Sequence, residues 1–208
     1  MEKRQLFVSN SQESIRIFEK DWMEALSKTH FTVPLFIYLP VVGCCIWFSE
    51  RHWSSVGLFL GGLLVWTLTE YILHRFVFHW VLPGRWGARI HFIIHGIHHD
   101  YPNDRLRLVM PPAVSIPLAF LFFSGYRWLL GTPTVYPFFA GLVFGYLCYD
   151  MIHYALHHLN LKHPLLQRLK HHHMLHHFQQ PDKGFGVSCP FWDFIFKTTF
   201  VLHKKSSP

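Results

Sequence analysis

The sequence predicts an all-α integral membrane protein in which four transmembrane, or partly re-entrant, helices are capped by a cytoplasmic helical domain. Three observations carry that expectation. Apolar residues gather in four stretches, 31–49, 56–73, 109–124 and 133–152, each near the roughly 20 residues that a helix needs to span a bilayer. Of the 19 lysines and arginines, all but Arg51 and Arg127 fall in the tails and the central loop, the side that an excess of basic residues marks as cytoplasmic. The 18 histidines collect mostly on that same side, in four clusters: His74/His79, His91/His95/His98/His99, His153/His157/His158 and His171/His172/His173/His176/His177.

Composition narrows the classes further. The formal net charge of +7 fits a cytoplasmic face attracted to anionic lipid headgroups, and no nucleic-acid-binding motif accompanies it. The four cysteines, Cys44, Cys45, Cys148 and Cys189, lack metal-site spacing, and three of them lie in apolar stretches. A disulfide framework is not expected.

Residues 1–30 read as a cytoplasmic amphipathic segment. Asn10 with Glu13 suits a helix cap, and Ile15, Phe18, Trp22 and Leu26 recur at helical spacing, as in a helix lying on a membrane. The apolar run begins too late for a cleavable signal. Residues 31–208 then form one membrane domain. Its first two spans make a hairpin around residues 50–55, with Pro34 and Pro40 predicting a late start or a kink in the first. The second ends in Glu70, His74 and His79. On a regular helix residues five apart point about 140° from one another, so these two histidines meet only if the helix loosens or ends between them.

After Pro83, Gly84 and Gly87 a short helix carries His91, His95, His98 and His99 along one stripe. Pro111, Pro112 and Pro117 give the third span an irregular start, so that it dips into the membrane or crosses it. The fourth runs straight into His153 and His157, an i,i+4 pair. His158 is rotated away by about 100°. Asp150, one turn before His153, is placed to hold a ligand's other ring nitrogen. In the last cluster His173, His176 and His177 repeat the spacing of His95, His98 and His99, while His171 and His172 fall on other faces and read as solvated.

One histidine pair on a helix is ordinarily structural, but four clusters at one membrane face call for a common cause. Crowded imidazoles repel when protonated and waste hydrogen-bonding capacity when neutral. A histidine-rich two-metal site explains both their number and their neutrality. A membrane metal transporter is the rival class, yet it would place polar ligands near mid-membrane, where these spans are almost devoid of them.

The boxes His-x4-His, His-x2-His-His, His-x3-His and His-x2-His-His resemble those of the membrane fatty acid hydroxylase and sterol desaturase superfamily. The strings at 73–79, 95–99, 105–112 and 182–187 (Asp-Lys-Gly-Phe-Gly-Val) resemble its fatty acid 2-hydroxylase branch, and they argue against a sterol or carotenoid oxidase or a desaturase. The resemblance covers roughly residues 56–200. It implies O2-dependent hydroxylation of a fatty acyl chain at C2, on a free or sphingolipid-linked acyl group. It also implies two iron ions, which zinc can replace, held by His74, His79, His95, His98, His99, His153, His157, His173, His176 and His177. His91 and His158 fall outside that set. Tyr146, Tyr149 and Asp150 are expected to orient ligands or the acyl head. Many eukaryotic relatives carry a fused cytochrome b5 domain with a His-Pro-Gly-Gly motif, and no such string occurs here, so a separate carrier such as cytochrome b5 or ferredoxin is expected to supply electrons. The implied location is the endoplasmic reticulum of a eukaryote or the inner membrane of a bacterium, with termini and metal site cytoplasmic.

Overall fold

The structure, a computed structural model, describes residues 7–201. Every regular element among them is helical: α1 (Asp21–Leu26), α2 (Val33–Trp47), α3 (Trp53–Ile72), α4 (Gly84–His91), α5 (Ile97–Asp100), α6 (Pro112–Leu130), α7 (Val135–His158), α8 (Pro164–Phe178) and α9 (Phe191–Ile195). Two π-helical turns, Leu73–Phe78 and Phe92–Gly96, continue α3 and join α4 to α5.

Among the described residues, three helices are long and apolar enough to cross a membrane: α3 with its π-helical extension, α6 and α7. The fourth apolar helix, α2, has only 15 residues, about 22 Å at 1.5 Å per residue, against a hydrocarbon core of about 30 Å. Pro34 sits in its first turn and Pro40 inside it. The prolines ahead of α6 act as a start signal: Pro111 is extended and Pro112 opens the helix, as the fixed proline φ and missing N–H allow. The helix consequently runs later than the sequence suggested. α7 carries all three of its histidines as one continuous helix.

α7 is the central element, packed against α2, α3, α6 and α8. It approaches α3 at glycines on both partners. A Cβ on Gly62 would meet the Phe138 carbonyl oxygen at 1.9 Å, and one on Gly141 would meet that of Phe59 at 1.9 Å. Small residues let membrane helices approach this closely. The core between these helices contains Tyr38, Trp66, Phe139, Leu142, Val143, Tyr146 and Leu147, and α6, which fully buries only Ser115, packs half-buried Ala119, Phe122, Phe123 and Tyr126 against it.

The N-terminal segment departs from the helix expected of it. Helix begins at Asp21, with no side-chain cap on its first turn. Upstream, the backbone is satisfied by side chains. Ser9 and Ser11 accept from the N–H groups of Ser11 and Glu13, and the Glu24 carboxylate accepts from Ile17 and Phe18 at 3.0 and 3.1 Å. Short polar side chains that bond nearby backbone compete with the helical ladder. The segment is tied down by Arg107, which donates to the Ile15 carbonyl, to Ser27 and to Glu24 at 2.8, 2.9 and 2.6 Å.

Candidate metal centre

The five-residue gap between His74 and His79 is closed by the π-helical turn. Its defining bond runs from the His79 N–H to the His74 carbonyl, 3.2 Å, and the wider turn brings the two Nε2 atoms to 3.2 Å. Such turns concentrate at functional sites. The second π-helical turn, Phe92–Gly96, begins just after His91 and contains His95.

The ten histidines of the resemblance assemble into two groups of five. One holds His74, His79, His95, His99 and His176, the other His98, His153, His157, His173 and His177. Within each group the facing ligand atoms lie within 4.8 Å of one another. The single stripe expected of His95, His98 and His99 is therefore divided. Each His-x-x-His-His box gives its i,i+4 pair to one group and its middle histidine to the other. His95 and His99 join the α3 pair while His98 crosses to the α7 pair; His173 and His177 join the α7 pair while His176 crosses back. The groups abut where His99 and His177 stack, with ring centroids 4.1 Å apart. His91, His158, His171 and His172 belong to neither.

The residues fit metal ions. With metal–nitrogen bonds of about 2.1 Å, two nitrogens at right angles on one ion stand about 3.0 Å apart. The Nε2 separations are of that size: His74–His95 3.1 Å, His99–His95 3.0 Å, His176–His79 3.0 Å and His157–His173 2.9 Å. Both ring nitrogens of His98 and His177 are buried with no hydrogen-bond partner. Burial first, and neighbouring imidazoles second, push His98 down to about 3 and hold His95, His99, His173 and His177 well below the ordinary histidine range. Neutral rings keep the lone pair that a metal needs.

Outer ring nitrogens are held by a loop that the sequence reading did not single out for that role. The His74 Nδ1 donates to the Phe185 carbonyl and the His176 Nδ1 to the Lys183 carbonyl, both at 2.6 Å. The loop is gripped by two carboxylates. Asp193, fully buried, accepts from the N–H groups of Phe185 and Gly186 at 2.8 Å and from the Thr198 hydroxyl at 2.7 Å, with the His172 Nε2 at 3.3 Å. Burial opposes its ionisation, but these donors hold it below the usual carboxylate range. Glu70 accepts from the Val187 and Ser188 N–H groups at 2.7 and 2.8 Å and from the Ser188 hydroxyl. Gly184 adopts a φ of +69°, and a Cβ at Gly186 would meet the Cys189 carbonyl oxygen at 2.3 Å. The two glycines of Asp-Lys-Gly-Phe-Gly-Val were the available signal for this tight backbone.

Two expectations change. Asp150 holds no histidine: both ring nitrogens of His153 lack a hydrogen-bond partner, and backbone carbonyls serve His74 and His176 instead. His172 is not merely solvated, since it faces Asp193. Tyr149, Asp150 and His153 instead line a cavity of about 320 Å³. Its walls come from α1 and the segment before it (Ile17, Phe18, Trp22), from the central loop and from the start of α6, and His95 and His98 reach it too.

Membrane-length helices ending in two buried five-histidine groups, beside an apolar cavity, define a helical membrane protein built to hold metal. The chain belongs to the fatty acid hydroxylase family, whose profile matches residues 59–198. It is 40% identical over 193 residues to a dihydroceramide fatty acyl 2-hydroxylase of Arabidopsis thaliana, covering 90% of this chain and 81% of that one. It is 36% identical over 210 residues to the fatty acid 2-hydroxylase of Rattus norvegicus, covering 88% of this chain and 56% of the relative. Among solved structures, full-length Scs7p, visible as its hydroxylase domain, aligns with a TM-score of 0.80 at 39% identity, over 87% of this chain and 70% of that one.

Proposed function

We propose that this protein hydroxylates a fatty acyl chain at C2, on a free acid or a sphingolipid-linked acyl group, at a pair of iron ions, a site that zinc can also fill. The observation that carries the reading is the cavity, which is lined mainly by apolar side chains yet meets His95 of one histidine group and His98 and His153 of the other. Its size suits a binding site.

The ligands would be His74, His79, His95, His99 and His176 for one ion and His98, His153, His157, His173 and His177 for the other. When bound, the iron pair supplies the O2 and electron chemistry that an unactivated C–H bond requires. Overall, O2, two electrons and two protons yield the 2-hydroxyl group and water. The chain's own residues do the rest. Ile97, Leu108 and Val109 bury the acyl chain and exclude water, and Tyr149 and Asp150, the polar groups beside His153, position its head.

The proposed topology has α2, α3, α6 and α7 in the membrane, both termini and the metal site cytoplasmic, in the endoplasmic reticulum of a eukaryote or the inner membrane of a bacterium. A separate carrier such as cytochrome b5 or ferredoxin delivers electrons. The test is lipid analysis after expression in a host that lacks 2-hydroxylated lipids. With iron and a donor supplied, 2-hydroxyacyl lipids should appear, and His176→Ala should abolish them. Their absence from a metal-loaded wild-type protein would overturn the assignment.

A further inference from the structure

The two histidine groups differ in what stands behind them. In the group of His74, His79, His95, His99 and His176, two rings are locked from outside by the carbonyls of Phe185 and Lys183. In the other group, His98, His153, His173 and His177 each keep a buried outer nitrogen with no hydrogen-bond partner. A hydrogen bond to the outer N–H fixes a ligating imidazole's tautomer and orientation and raises its basicity, and losing such a partner costs about 10–100-fold in metal affinity.

The carbonyls are positioned from farther out. Asp193 holds the amides of Phe185 and Gly186, and Glu70, one turn before His74, holds those of Val187 and Ser188. Thr198 joins Asp193 to the Tyr71 hydroxyl at 2.9 Å, and Arg75 donates to that hydroxyl at 2.9 Å. α9 and the residues following it therefore brace the loop against the end of α3. Nothing comparable among the described residues braces the rings on α7.

We infer that the two metal positions are unequal: the one framed by His74, His79, His95, His99 and His176 retains its ion, the other exchanges, and Asp193 with Glu70 are positioning residues that set the difference through the 183–188 loop. This rests on the two-metal reading above and adds an order of release to it.

The experiment uses the full chain in detergent, loaded with zinc(II) alone, with metal content followed by elemental analysis during EDTA treatment. Two equivalents should be present, one leaving at least tenfold faster. Asp193→Asn should speed the slow equivalent roughly 10–100-fold and leave the fast one unchanged. Asp182→Asn, an exposed carboxylate of the same loop, should alter neither. With cobalt(II) in place of zinc, the visible spectrum of the retained equivalent should shift in Asp193→Asn. If that variant lacks wild-type helicity, Glu70→Gln carries the comparison, because it weakens the hold on the Val187 and Ser188 amides and leaves Asp193 in place. Release of both equivalents at one rate, or a slow phase untouched by Asp193→Asn or its substitute Glu70→Gln, would overturn the inference. Fewer than two equivalents on folded wild-type protein would instead sink the two-metal reading beneath it.

Discussion

Glu24 gathers four partners outside the membrane-length helices: the N–H groups of Ile17 and Phe18, the Lys28 ammonium and the Arg107 guanidinium. Burial opposes its charge, but the Lys28 ammonium, the N–H groups of Ile17 and Phe18 and the Arg107 guanidinium together hold its carboxyl down to about 2, against an ordinary 4.5. A folded value below the unfolded one means that the ionised group stabilises the fold above about pH 4.5. That contribution fades as pH falls toward about 2. Glu24→Gln should therefore lower the thermal midpoint in detergent by several degrees at pH 7, and the gap from wild type should narrow steadily below pH 4.5. A gap that stays constant down to pH 3 would refute the linkage. This residue was invisible in the sequence because its partner Arg107 lies 83 positions away. The ten clustered histidines were legible, since their spacing and neighbours carry the signal. Their division into two groups was not, because His98 and His176 each cross to a set defined by distant helices.

Gly61 and Gly62 are neighbours in one helix, and composition cannot tell them apart. A Cβ on Gly61 meets nothing within 4 Å, whereas one on Gly62 runs into the α7 backbone at Phe138. Gly62→Leu or Gly141→Leu should push α3 and α7 apart and cost about 3 kcal/mol, the upper part of the usual range for overpacking. Gly61→Leu should cost little. Unfolding in detergent with denaturant would report the difference, and equal effects at 61 and 62 would contradict the packing. Because α3 and α7 carry one histidine pair each, the Gly62 and Gly141 variants should also lose bound metal. Hydropathy made α3, α6 and α7 readable as elements. The π-helical turn was foreshadowed too, since a five-residue histidine spacing and a shared target are incompatible on a regular helix. The irregular course of residues 9–20 was hidden because a carboxylate and serine hydroxyls take backbone partners that periodicity would have given to a helix.

Across the whole molecule, the chain contributes two similar halves to one centre. Each supplies a pair at a helix end and a His-x-x-His-His box, and each lends the other its middle histidine. Neither half completes a five-histidine group alone, so assembly of the groups requires α3 and α7 to dock and α5 and α8 to close over them. The cavity depends on the same long-range closure, because the segment pinned by Arg107 supplies one wall and the central loop and α6 supply others. Met110 lies where that loop meets α6 and lines both this cavity and a smaller one of about 30 Å³ between α2, α3, α6 and α7. Its side chain touches neither histidine group through any hydrogen bond or ring contact. Met110→Trp should shorten the space available to an acyl chain without removing a ligand. The expected outcome is unchanged metal content with 2-hydroxylated products shifted to shorter chains, the longest falling at least tenfold, read by lipid mass spectrometry. An unaltered chain-length profile in a folded, metal-loaded variant would mean that the acyl chain lies elsewhere, and the cavity would then lose its place in the proposed function.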